Sequence, residues 1–210
     1  MISGSSMWQE LLPGLKEGDV INDVIEDQYD VIYGSWPNDA NEVVLVVNEK
    51  NEIDDLTLYA LGLISRAEID SIIDAAASGQ PLNSEMKKWS YEEICGLKFK
   101  TILPYQCYQD FGGVYVDVSE NESMLKMLYE TAFEMKVVGI IRPNPEADAK
   151  MLTGSIGYTR GLTEHIIKDA KNYPVVIAQL ENPTIDVLTG LPFKTNTGSL
   201  SNEEKSTLFK

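Results

Sequence analysis

The chain has one histidine, His165, and two cysteines, Cys95 and Cys107, among 210 residues. That scarcity limits the chemistry open to it. Nucleophilic catalysis of the Ser-His or Cys-His kind needs a base beside the nucleophile. His165 sits in Thr163-Glu-His-Ile-Ile167, on the flank of a predicted helix, where a lone histidine more often packs or faces solvent. No Gly-x-Ser-x-Gly frames a serine. One histidine and two cysteines cannot build a zinc site without carboxylates, and no Asp-x-Asp-x-Asp-Gly loop is present. Asn48 to Asp55 is rich in acids and asparagine and could hold calcium weakly; a polar turn between strand and helix is the preferred reading. The glycines of Thr153-Gly-Ser-Ile-Gly-Tyr-Thr-Arg-Gly161 suggest a phosphate loop, but the Lys-Ser/Thr ending is missing. No catalytic, cofactor-binding or metal-binding residue is therefore assigned, and no cofactor is expected.

The cysteines could form one bridge, Cys95 to Cys107, closing a short loop in an oxidising compartment. The alternative is two free thiols, with Cys95 buried on a short helix. Trp8, Trp36 and Trp89 fall near the ends of predicted elements, and Trp36 before Pro37 reads best as a plug on the edge of a core.

The elements that would position these residues follow from caps and periodicity. Val20, Ile21, Val24 and Ile25 predict a helical face, followed by a strand at Tyr29 to Tyr33 that Gly34 and Trp36-Pro37 break. Glu42 to Val47 is apolar on both faces and predicts a covered strand. Leu56, Tyr59, Ala60 and Leu63 mark a helix capped by Asp54 or Asp55. Ser65 and Glu68 form a capping box ahead of Ile69, Ile72, Ile73 and Ala76, with Gly79 as the stop. Ser90 and Glu93 repeat the box over a short helix ending at Gly96. Strands are expected at Leu97 to Leu103, Val114 to Val118, Lys136 to Ile141, Gly154 to Tyr158 and Val175 to Leu180. Between them, Ser119 and Glu122 should cap a helix faced by Met124, Leu125, Leu128, Ala132 and Met135. A further helix is marked by Leu162, Ile166 and Ala170. The strands at 42–47 and 136–141 should be interior, covered by helices at 54–63, 65–78 and 122–134.

Composition bounds the partners. The chain has 33 acids against 17 bases, a net charge of −16. Such a surface repels phosphate backbones, which argues against nucleic acid, and attracts cationic peptides or basic protein surfaces. No apolar run reaches the roughly 18–20 residues that span a bilayer. Met1 to Ser6 lacks the basic and apolar regions of a signal peptide, and residues 1–7 read as a leader or start segment.

The segment Tyr33-Gly-Ser-Trp-Pro-Asn-Asp-Ala-Asn-Glu-Val-Val-Leu-Val-Val47 resembles a stretch of bacterial ABC transporter permeases of the MacB/FtsX type. There a Gly-Arg-x-Pro-like turn leads through Asn-Glu into an apolar strand. Ser35-Trp36 stands where arginine is common, which is a Gram-positive style of the pattern. Asn51 to Gly62, Lys136 to Pro143, Ile156 to Thr159 with Leu162-Thr163, and Val187 to Gly190 are similar to the same group. The positions that carry the motif are Gly34, Trp36, Pro37, Asn41, Glu42 and Gly139.

The resemblance implies a two-lobed α+β extracellular domain, with mixed sheets covered by helices, between two membrane helices of a permease. It would span 8–190, with lobe boundaries near 80–88 and 142–150 and a polar tail at 191–210. Against that family's pattern, which has a further segment before the position of Trp8, the resemblance implies that the chain starts after the domain's first strand. The domain itself would catalyse nothing. Its partners would be the transmembrane helices and ATP-binding subunit of the same transporter, and a cationic peptide or protein could be its substrate. Located on the extracellular face of the membrane, it would be monomeric when isolated. The alternative is a secreted or surface-bound adhesion module with no transporter.

Overall fold

The computed structural model describes residues 7–79 and 87–193. Its strands are β1 (Trp8–Glu10), β2 (Tyr29–Gly34), β3 (Glu42–Val46), β4 (Lys98–Thr101), β5 (Tyr108–Asp110), β6 (Tyr115–Asp117), β7 (Phe133–Pro143) and β8 (Ile156–Tyr158). Its helices are α1 (Asp23–Gln28), α2 (Asp55–Ala60), α3 (Arg66–Ser78), α4 (Tyr91–Cys95), α5 (Glu122–Thr131), α6 (Arg160–Ala170) and α7 (Pro174–Glu181). The fold class is α+β. Two compact units divide the chain: one takes in residues through Ile102 and Lys126–Asp169, the other Leu103–Leu125 and the residues from Ala170 onward. Residues 142–150 run inside the first unit, and 80–86 lie outside the described residues.

In the first unit a mixed sheet runs in the order β1-β8-β3-β7-β2, with β4 also paired to β7. Strand β7 is the spine. It runs parallel to β3 on one flank; on the other it is antiparallel to β4 over Phe133 to Lys136 and to β2 over Gly139 to Pro143. Strands β3 and β7 are interior, as their apolar runs require. Val43, Val44 and Leu45 are buried, as are Met135, Val137, Ile140 and Ile141.

The sheet is apolar on both faces. Val43, Leu45, Met135, Val137 and Ile140 join one core with Leu61, Ile94 and Leu162. Val44 and Ile141 join another with Leu11, Ile21, Ile25 and Tyr29. Strict alternation would put Val137 and Ile140 on opposite faces. The register slips between Val43 and Val44, whose partners are Val137 and Gly139. That extra residue on β7 is a bulge, and it resets the faces so that Ile140 returns to the side of Val137.

Several expected elements move. Of the expected cover, the 54–63 stretch supplies Leu61 to the core over β3 and β7, and α4 and α6 add Ile94 and Leu162 in place of the other two helices. Helix α3 instead buries Ile69 against Leu58 and Ile64, and α5 buries no side chain. Met135, expected on the α5 face, lies on β7, because the helix stops at Thr131. The cap of α5 is Asn121, whose Oδ1 accepts the N–H groups of Ser123 and Met124, whereas Ser119 donates to Asp117. Helix α2 turns inward Thr57 and Leu58, with Leu61 after it, and leaves Leu56, Tyr59 and Ala60 exposed. Asp54 sets that rotation, since its carboxylate accepts both the N–H and the hydroxyl of Thr57. Helix α1 begins later than its apolar pattern suggests, at the Asn22 cap. Both predicted capping boxes, Ser65 with Glu68 and Ser90 with Glu93, are formed, and Gly79 closes α3 in the left-handed region.

The second unit holds a β5–β6 hairpin whose turn uses Gly112 and Gly113 at φ 74 and 91. It also holds a short 3-10 turn at Pro104–Cys107 and α7. Val175 to Leu180, expected as a strand, is this helix. Pro174 stands at the first helical position, where its fixed φ suits a helix and its missing N–H costs nothing. A continuous apolar run shows no period, so the proline decides the outcome.

The close approach of β2 to β7 yields a first prediction. A Cβ on Gly139 would lie 2.1 Å from the carbonyl oxygen of Ser35, a backbone atom with nowhere to go. One on Gly157 would lie 2.9 Å from Leu11 Cδ2 and 3.0 Å from Val44 Cγ2, side-chain atoms that can shift. Gly139→Ala should therefore cost about 2–3 kcal/mol and Gly157→Ala clearly less. Urea midpoints compare them, and equal midpoints for Gly139→Ala and the parent chain would contradict the packing described.

Candidate functional site

The motif positions converge on the connection between β2 and β3. Gly34 lies directly opposite Gly139 across the antiparallel pair. At φ 73, Gly34 has a backbone that most side chains avoid, and a Cβ there would meet the Val138 carbonyl oxygen at 2.1 Å. The N–H of Ser35 donates to the same carbonyl at 3.0 Å. Trp36 is half-buried and packs on the core of Leu11, Ile21 and Ile25, which is the plug expected of it. Pro37 is buried beside it.

Glu42 ties the turn to the spine. Its Oε2 accepts the N–H of Asn38 at 2.8 Å and of Asp39 at 3.2 Å. Its Oε1 lies 2.9 Å from Lys136 Nζ on β7. The backbone N–H of Lys136 in turn donates to the Asn41 carbonyl at 2.9 Å. Asn41 and Glu42 thus grip one residue of β7, and Gly34 and Gly139 meet along the same strand. Nothing in the sequence pairs Lys136 with Glu42, because 94 positions separate two of many charged residues.

A cleft of about 380 Å³ opens at the carboxyl end of β3, lined by Val46, Asn48, Glu52, Ile53, Asp54 and Ser155. Its polar groups already have partners. Asn48 Oδ1 accepts the N–H of Lys50 at 2.8 Å and of Glu52 at 2.9 Å, and its amide donates to Glu52 at 2.9 Å. Asp54 Oδ2 accepts the hydroxyls of Thr57 and Ser155, each at 2.6 Å. Burial alone would raise the Asp54 carboxyl, but these hydrogen bonds outweigh it and hold the group below its ordinary range. The loop is the polar turn expected there. Among the described residues no group of three His, Cys, Asp or Glu side chains converges as a metal site.

The remaining candidates have structural roles. His165 stacks on Phe133, with ring centroids 4.0 Å apart. Thr153 and Gly154 donate their N–H groups to Gln9 Oε1 at 2.7 and 2.9 Å, and Ser155 and Ile156 donate theirs to the Met7 carbonyl. The donors a phosphate would need are committed to β1 and its flank. Gln9 carries no sequence signal for that role. Cys95 and Cys107 are both free thiols, half-buried and buried, so the bridge considered from the sequence is not formed. Burial pushes both thiols up, with Asp117 adding to the effect at Cys107; a nucleophile needs the opposite shift. Comparison with protein-family models, curated proteins and solved structures found no match for this chain.

The Glu42 anchor has a pH signature. Burial raises its carboxyl, but the Asn38 N–H, Lys136 and the Asp39 N–H together bring it below the ordinary value of 4.5. A depressed carboxylate stabilises the fold above its unfolded value, and that contribution is lost as pH falls through the lower folded one. Glu42→Gln should therefore lower the urea midpoint at neutral pH, by about 1–2 kcal/mol in stability. The gap to the parent chain should shrink below a pH of about 4.5. A gap of the same size at pH 7 and at pH 3 would refute the anchoring role.

Proposed function

We propose that this chain is a non-catalytic extracellular domain of an ABC transporter permease of the MacB/FtsX type. In this reading it couples ATP-driven motion of membrane helices to export, extraction or sensing of a substrate outside the cell. One observation carries the reading. The resembling blocks, Tyr33 to Val47 and Lys136 to Pro143, were matched as separate stretches of sequence, yet their motif positions touch. Gly34 faces Gly139, and Asn41 and Glu42 both engage Lys136. A motif whose parts meet in space behaves as one structural unit, which is what a shared domain architecture requires.

The chemistry of the site agrees with a mechanical role. Glycines allow close backbone approach, a tryptophan fills a core edge, and a carboxylate pins a turn to the central strand. These features stiffen the first unit. A domain that transmits force needs a stiff core and surfaces for its partners, here the transmembrane helices and an ATP-binding subunit.

The test is the location and company of the full gene product in its own cells. It should sediment with membranes, co-purify with an ATP-binding subunit, and lose this region to protease added outside intact protoplasts. Recovery from the medium with no membrane association would favour a secreted adhesion module instead. Protection from external protease, with the cell otherwise intact, would overturn both.

A further inference from the structure

We draw no further inference here: the strongest candidate, the cleft at the carboxyl end of β3 lined by Asn48, Glu52, Asp54 and Ser155, carries nothing, because it is an acidic cluster whose polar groups hydrogen-bond one another and the adjoining backbone, and nothing else among the described residues points to a ligand for it.

Discussion

The first unit depends on how closely β2 can approach β7. Gly34 and Gly139 oppose each other, and a Cβ on either would run into backbone of the facing strand. Next to that contact sits the bulge of β7. It returns Ile140 to the face of Val137 and leaves Ile141 on the face of Val44. Without the bulge, an interior strand of eleven residues could not serve both cores in the register its neighbours impose. Two small residues and one inserted residue therefore decide which apolar side chains meet. Helices Asp23–Gln28 and Arg160–Ala170 then pack on faces already defined.

An acidity of −16 would be a burden if the fold had no use for carboxylates. A subset of them is built in, each doing the same job: a carboxylate oxygen accepts backbone N–H groups that would otherwise lack partners. Glu42 does so in the turn before its strand, Asp54 at a helix start, and Glu68 and Glu93 in capping boxes. In the Tyr108–Asp117 hairpin of the second unit Asp110 and Asp117 do the same, accepting the N–H groups of Gly113 and Ser119. Acidic side chains thus stabilise local geometry in both units.

Much of this was legible in the sequence. The capping boxes at Ser65 and Ser90 could be read because both partners lie within one helical turn. The apolar runs at 42–47 and 136–141 could be read because they are short and rich in β-branched valine and isoleucine. What escaped reading depends on contacts between distant residues. No local pattern reveals that Glu42 meets Lys136 or that Gln9 occupies the N–H groups of Thr153 and Gly154. The rotation of helix Asp55–Ala60 was hidden because apolar residues at 56, 58, 59, 61 and 63 fit two faces equally. The helix at Pro174–Glu181 looked like a strand because a uniform apolar run carries no period.

The central claim is that strand Phe133–Pro143 is the structural spine of the first unit. Native-state hydrogen exchange of the whole chain tests it most directly. The amides of Val137, Gly139, Ile140 and Ile141, with those of Val44 and Leu45 on the neighbouring strand, should exchange slowest, opening only with global unfolding of that unit. Exchange of these amides as fast as those of helix Arg66–Ser78, at conditions where the unit stays folded, would contradict the account.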